Sequence, residues 1–395
     1  MIESQEAIVR FPEFSENDYQ TYQVSDFLSR HVVPVQLEDD HEYTEIGIRS
    51  WGKGVFFKKP TTKADIGNKR VFWLDKDLFV VNIVFAWEQA VAVTTTSEVG
   101  KIASHRFPMF RVDNEKATLK YVMYKFLTSR GKQLLELASP GGAGRNKTLG
   151  QKEFDKLKVA LPSAKEQRKI ADFLTAVDTK ISQLAEKHRL LKEYKKGVIQ
   201  QIFSQQIRFK DEKGNVFPEW TREPIGKYLE PYKELVSVDT DIPVLTSSRT
   251  GLYLQERSVI NEGDYGVVPL GYFTYRHMSD DLVFKFNVNR TWERGAVSKE
   301  YPVFKTVGMD TYFLETQLNE GNDFKRFAIQ QKQGGTRTRL YFKNLIELKL
   351  SLPCLQEQQK ISQFLQAIDI KIEGVAEQVK QTKQFKKGLL QQMFV

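Results

Sequence analysis

The sequence predicts an α+β chain: two divergent domains, each followed by a long helix, with the two helices paired as an antiparallel coiled coil about a pseudo-two-fold axis. Three observations lead there. Residues 165–181 (KEQRKIADFLTAVDTKI) return as residues 356–372 (QEQQKISQFLQAIDIKI). Apolar residues run through both copies in steps of three and four, the period of a helix seam. The stretch before each copy reads as strands followed by late helices, which argues for an α+β domain.

The repeat extends beyond those seventeen residues. Residues 161–204 align with 352–395 without a gap, so that Leu161-Pro162, Glu166-Gln167, Phe173-Leu174, Asp178 and Lys195-Lys196-Gly197 return as Leu352-Pro353, Glu357-Gln358, Phe364-Leu365, Asp369 and Lys386-Lys387-Gly388. A period this long marks a duplicated domain-plus-helix unit, not a solenoid. Ile170, Leu174, Val177, Ile181 and Leu184 form the heptad seam of the first helix; Ile361, Leu365, Ile368, Ile372 and Val375 form that of the second. His188, Lys195, Thr382 and Lys386 interrupt the seams, places where a coil gives up stability for register. Ser163 and Glu166 have the spacing of a capping box after Pro162. Cys354 stands where that serine would be in the second copy, which predicts a weaker cap. An antiparallel pairing sets one domain at each end of a rod about 55 Å long, a spacer. The expected boundaries are 1–160 for the first domain, 161–207 for the first long helix, 208–352 for the second domain and 353–395 for the second helix.

The two domains share punctuation more than sequence. Phe11-Pro12-Glu13-Phe14 and Phe217-Pro218-Glu219-Trp220 open them. A strand-like run follows an acidic turn in each, 77–81 in the first and 264–268 in the second, then an aromatic-Pro-x-Phe strand at 107–110 and at 301–304. Helical segments are expected at 117–138 and at about 310–332. Gly-rich polar loops at 141–148 and 334–339 and a short strand lead into each Leu-Pro.

The divergent stretches hold the basic and aromatic residues. In the first domain Arg49, Lys53, Lys58, Lys59, Lys63, Lys69 and Arg70 lie among Trp51, Phe56, Phe57, Phe72 and Trp73, with Arg145 and Lys147 in the later loop. That basic stretch, 49–73, has no evident counterpart in the second domain. There the comparable residues are Ser247, Arg249, Arg257, Tyr275 and Arg276, with Arg337 and Arg339 in the loop. Guanidinium forks, ammonium groups and small hydroxyls suit phosphates and base edges, and together these residues form a candidate DNA-binding set. Taken singly, each also reads as a solvated basic loop residue over an aromatic core.

Bulk properties set the limits. The 395 residues are 41% hydrophobic and 28% charged, with a mean hydropathy of −0.45, ordinary for a globular chain long enough for two cores. A net charge of +9 is consistent with a polyanionic partner. No apolar run approaches a membrane span, and MIESQEAIVRFPEF lacks the pattern of a secretory signal. One cysteine excludes an internal disulfide and a multi-cysteine zinc site. A reducing cytoplasm is therefore expected.

Catalytic signatures are missing. GGAGRNKT at 141–148 does not satisfy the P-loop spacing. There is no G-x-G-x-x-G after a strand and no Asn/Asp-Pro-Pro-aromatic tetrapeptide. The five histidines show no metal-ligand spacing. No metal, no cofactor and no catalytic residue is expected in this chain.

The segments LPSAKEQRKIADFLTAVDTKI and LPCLQEQQKISQFLQAIDIKI, the KKGVIQQIF and KKGLLQQMF ends, IRFKDEKGNVFPEW between the units and IPVLTSSRTGLYLQERSVI at 242–260 closely resemble the specificity (S) subunit of type I restriction-modification systems. The resemblance covers essentially the whole chain. It implies two target recognition domains, each reading one half of an asymmetric split site in double-stranded DNA. It implies that the paired helices set the spacing and dock two modification (M) subunits, which bind S-adenosylmethionine and methylate adenine. Restriction (R) subunits would join for ATP- and Mg-dependent cleavage. A bacterial or archaeal cytoplasm is the implied location. Read without the resemblance, a coiled-coil scaffold or regulator whose two domains bind proteins is the competing class.

Overall fold

A strand, a Leu-Pro step and a helix of some forty residues occur twice. The computed structural model describes residues 9–141, 147–237, 239–255, 263–332 and 337–394. Strand Lys158–Leu161 ends at Pro162, which has no N–H for a further ladder bond, and the first long helix, Ala164–Phe203, begins two residues on. Strand Lys349–Leu352, Pro353 and the second long helix, Leu355–Gln392, repeat the arrangement. Ser163 Oγ accepts the Glu166 N–H at 3.3 Å, one half of the expected capping box. The Glu166 carboxylate is taken instead by Arg10, whose Nε and Nη2 approach at 2.9 and 2.7 Å.

The chain divides into two compact units, residues 1–185 with 377–395 and residues 186–376. Each holds the beginning of one long helix and the end of the other.

In the first unit the central antiparallel sheet runs Leu28–His31, Met109–Val112, Phe79–Val81, Val91–Val93. Strand Gln20–Gln23 pairs with Lys158–Leu161 and so ties the sheet to the helix start. Helices Leu119–Leu127 and Ser129–Leu137 lie beside it, two elements where the sequence suggests one over 117–138. Thr128 is extended and caps the second with an Oγ1 bond from Gly131 N–H at 2.9 Å. Gly131 is required there, because a Cβ would come within 2.1 Å of Lys125 O. Phe79, Phe110, Phe126 and Phe154 form the aromatic centre, with ring centroids 5.5–6.5 Å apart. Ile170, Leu174 and Val177 from one long helix and Leu389, Met393 and Phe394 from the end of the other close the core.

The second unit repeats the plan: Leu229–Pro231, Val303–Thr306, Phe273–Tyr275, Phe286–Val288 in the sheet, Thr221–Pro224 paired with Lys349–Leu352, and helices Thr311–Glu320 and Asn322–Gln330 broken at the extended Gly321. Phe273 lies opposite Phe304 as Phe79 lies opposite Phe110. This corrects the expected alignment of 77–81 with 264–268. Strand Phe79–Val81 answers to Phe273–Tyr275, and Tyr265–Pro269, paired with Arg294–Ser298, answers to Val71–Trp73, paired with Ile102–Ser104. Apolar pattern alone does not distinguish neighbouring buried strands. The basic stretch also has a counterpart after all: hairpin Ile46–Ile48/Val55–Phe57 answers to hairpin Leu245–Ser248/Gly251–Leu254. Each is fixed at its start by an isolated parallel bridge, Glu45 to Ile102 and Val244 to Ala296.

Within each unit the two helix segments pack antiparallel. All ten seam residues are buried or partly buried, from Leu174, Ile361 and Leu365 at full burial to Ile181 and Ile372 at its edge. The lysines that interrupt the seam have partners. Lys386 Nζ donates to the Asp178 carboxylate at 2.6 and 2.8 Å, and the Tyr124 hydroxyl donates to the same group at 2.8 Å. In the second unit Lys195 Nζ meets Asp369 at 2.6 and 2.7 Å and Tyr312 Oη at 3.1 Å, and Tyr312 donates to Asp369. Burial, reinforced by the carboxylate, pushes both phenols well above their ordinary pKa. A half-buried pair of this kind selects one register over its neighbours, since a slipped helix strands both charges.

The repeated Glu-Gln dipeptide fastens each domain to its helix. Gln167 donates to Pro162 O and Lys116 O and accepts the Thr118 N–H, all at 2.9 Å. Gln358 donates to Pro353 O at 2.9 Å and accepts the Asp310 N–H at 3.0 Å. Glu357, like Glu166 fully buried, is held by Arg208 at 2.9 and 3.1 Å and by Trp220 Nε1 at 3.0 Å.

Candidate nucleic-acid interface

In the first unit the candidate cations follow the hairpin and the strand after it. Arg49 lies over the Phe56 ring, 4.7 Å from its centroid, and donates to Val55 O at 3.2 Å. Lys53 is exposed in the turn, and Lys59, Lys69 and Arg70 are exposed beyond it. No ion pair occupies these four among the described residues. Lys58 and Lys63 differ: Glu45 neutralises the first at 2.6 Å and Asp39 the second at 3.0 Å. The His105 N–H donates to Arg70 O, which brings exposed Arg106 close to Arg70 in the chain's path, a cation outside the basic stretch that the sequence singles out. Lys132 is another. Its Nζ sits 5.3 Å above Trp51, from a helix eighty residues away in sequence. Lys147 is half-buried with Nζ over Trp87. Arg145 lies outside the described residues, as does Arg257 of the second unit.

In the second unit the fold gathers residues far apart in sequence. Strand Met278–Ser279 pairs with Thr338–Arg339, with Met278 opposite Arg339. That pairing brings Arg337 and Arg339 to the loop after Phe273–Tyr275, where Arg276 is exposed. Arg249, at the hairpin turn, reaches the same loop and meets Asp281 at 2.6 Å, and Arg337 meets Asp280 at 3.0 Å. The four arginines thus share one loop.

Two of the candidates are corrected. Tyr275 is fully buried in the sheet and donates to Leu340 O at 3.1 Å; its ring serves the core. Ser247 is buried, and its Oγ accepts from Asn287 Nδ2 at 2.9 Å. Ser247 faces inward by the alternation of its strand, whereas Tyr275 lies in a strand buried at all three positions. His277, stacked on Tyr341, is also buried, with Nδ1 lacking a partner among the described residues. Its pKa lies below the ordinary histidine value, chiefly from burial. No group of three or more metal-binding side chains comes together among the described residues, and none of their helices is long and apolar enough to cross a membrane.

A family model described as the type I restriction modification DNA specificity domain matches residues 61–193 and 304–382, together more than half of the chain. The chain belongs to that family. The first matched segment takes in most of the strands of the first unit and runs into the first long helix, and the second runs from strand Val303–Thr306 into the second long helix. Among solved structures, the S subunit of a type I restriction-modification system from M. genitalium is 12% identical over 99% of both chains, with a TM-score of 0.59. The HsdS subunit from Thermoanaerobacter tengcongensis is 13% identical over 100% of this chain and 99% of that one, with a TM-score of 0.50. A chain from a structure concerned with complex assembly and conformational transition of the type I R-M system is 13% identical, covers 94% and 96%, and has a TM-score of 0.53. At these identities the likeness is one of fold. It spans both units of the specificity-family chain.

Proposed function

We propose that this chain is the DNA-reading subunit of a type I restriction-modification complex. Each unit reads one half of an asymmetric bipartite site, and the paired helices fix the gap between the halves. The chain holds two adenine-methylating M subunits on that site, and R subunits join for ATP-dependent cleavage. Recognition is its whole contribution. S-adenosylmethionine, ATP and Mg belong to the partner subunits.

The observation that carries this reading is one plan built twice with different exposed chemistry. The sheets, the Glu-Gln fasteners and the Tyr-Asp-Lys groups repeat, whereas the outward residues do not: lysines dominate the first hairpin region and arginines the second. A reader of two unlike half-sites needs that combination, because phosphate contacts position a protein and base-edge contacts specify its site. The test is single-molecule sequencing of host DNA for N6-methyladenine with and without the gene. Loss of one bipartite motif supports the reading, and identical methylation in both strains refutes it.

A further inference from the structure

Both units clamp the tip of their outer hairpin onto the same loop of the plan, and they do so with different side chains. In the first unit the tip, Ser50-Trp51-Gly52, rests on the loop between Phe79–Val81 and Val91–Val93. Trp51 N–H donates to Glu88 O at 2.8 Å and Ser50 Oγ donates to the Glu88 carboxylate at 2.7 Å. In the second unit the tip carries Arg249, and it rests on the loop between Phe273–Tyr275 and Phe286–Val288 through Asp281 at 2.6 Å. A constant clamp with exchanged residues is what a specificity element on a fixed frame requires.

The second-unit clamp is rigid on both sides. Asn287 Nδ2, buried, donates to Ser247 Oγ and Ser248 O at 2.9 Å and so pins the hairpin strand. Ser248 Oγ accepts the Thr250 N–H at 3.1 Å and closes the turn around Arg249. Asp281 accepts Ser279 Oγ at 3.0 Å and Val283 N–H at 3.3 Å, beside Leu282 in the left-handed region at φ 64°. The Arg249–Asp281 pair is half exposed on both sides, and exposed pairs contribute little stability. A carboxylate placed next to a polyanion also weakens binding. Its remaining use is to aim the guanidinium. Asp281 engages only Nη2 of Arg249, and a guanidinium carries five N–H donors. Enough of them remain for the two-pronged contact to guanine O6 and N7. Arg337 is gripped similarly, through Nε by Asp280 on the same loop.

We propose that Arg249 is a base-reading residue of the second unit, taking a guanine edge, and that Asp281 is its positioning residue. The inference rests on the DNA-reading function proposed above. The experiment replaces the chromosomal gene by Asp281→Asn, Asp281→Glu and Arg249→Lys alleles and maps N6-methyladenine in each strain. Asp281→Asn is expected to keep every motif position but one, and to reduce discrimination at that single guanine-containing pair about tenfold, within the range one two-pronged base contact supplies. Arg249→Lys, which keeps the charge and loses the fork, relaxes the same position. Asp281→Glu restores much of it. An unchanged motif in Asp281→Asn overturns the inference and leaves the proposed function standing. Uniform loss of methylation in Asp281→Asn, with a lowered melting temperature of the purified full-length chain, assigns Asp281 a structural role and also overturns it. Absence of any motif in the wild type defeats the proposed function, and the inference with it.

Discussion

Arg208→Met isolates the energetic weight of the fasteners. Arg208 makes two bonds to Glu357, at 2.9 and 3.1 Å, and the Glu357 side chain is 0% exposed. The substitution leaves that carboxylate with Trp220 Nε1 as its remaining side-chain donor among the described residues. Stripping one partner from a buried ion pair costs about 3–5 kcal/mol. For a unit of this size, residues 186–376, each kcal/mol lowers the melting temperature by about 2–4 °C, so the expected drop is about 6–20 °C. Calorimetry on the full chain reads it. Arg208→Met/Glu357→Gln removes the stranded charge and recovers more than half of the loss. A single variant within a degree or so of the wild type refutes the reasoning, and so does a deficit indifferent to the second substitution.

Three further outcomes are expected. Leu365→Ala, at a fully buried seam position, destabilises the second unit by about 2–5 kcal/mol in urea unfolding; a change under about 0.5 kcal/mol contradicts its seam role. Burial depresses the pKa of His277, so its contribution is present above the ordinary histidine value and lost as pH falls below it. As pH falls below the ordinary histidine value the second unit therefore weakens, and His277→Phe flattens that slope. Arg337→Ala/Arg339→Ala weakens the second half-site selectively and reduces the log–log salt slope by about 0.9 for each phosphate that is no longer neutralised; equal weakening at both half-sites contradicts the placement.

What is legible in the sequence follows from periodicity. The seam from Ile170 to Leu184 and its partner from Ile361 to Val375 declare themselves because a heptad needs only local spacing, and the register lysines are visible as its exceptions. Their Asp partners are not, because Asp178 and Lys386 are 208 residues apart. Arg10 and Arg208 are hidden for a different reason. Phe11-Pro12-Glu13 matches Phe217-Pro218-Glu219 by eye, and residues 210–216 push Arg208-Phe209 away from that landmark. Yet Phe11 meets Phe173, and Phe209 meets Phe364. In the candidate site, residue type is a fair guide to exposed arginines and a poor one to Tyr275 and Ser247. The inward direction of Ser247 depends on strand register, and the burial of Tyr275 on its strand's central place in the sheet, neither of which composition encodes.

The make-up of the first unit has a consequence for how the chain matures. Its core takes Leu389, Met393 and Phe394, with Phe394 stacked on Tyr121 at 5.0 Å and Gln392 O accepting the Val9 N–H at 3.0 Å. A ribosome moving from residue 1 therefore delivers all of residues 186–376 before the earlier unit receives its last helix. The usual order, in which the amino-terminal domain folds first, is inverted. The first unit waits with the stripe around Ile170, Leu174 and Val177 uncovered. Shortening the chain by a dozen residues at its far end would then be felt first at its beginning.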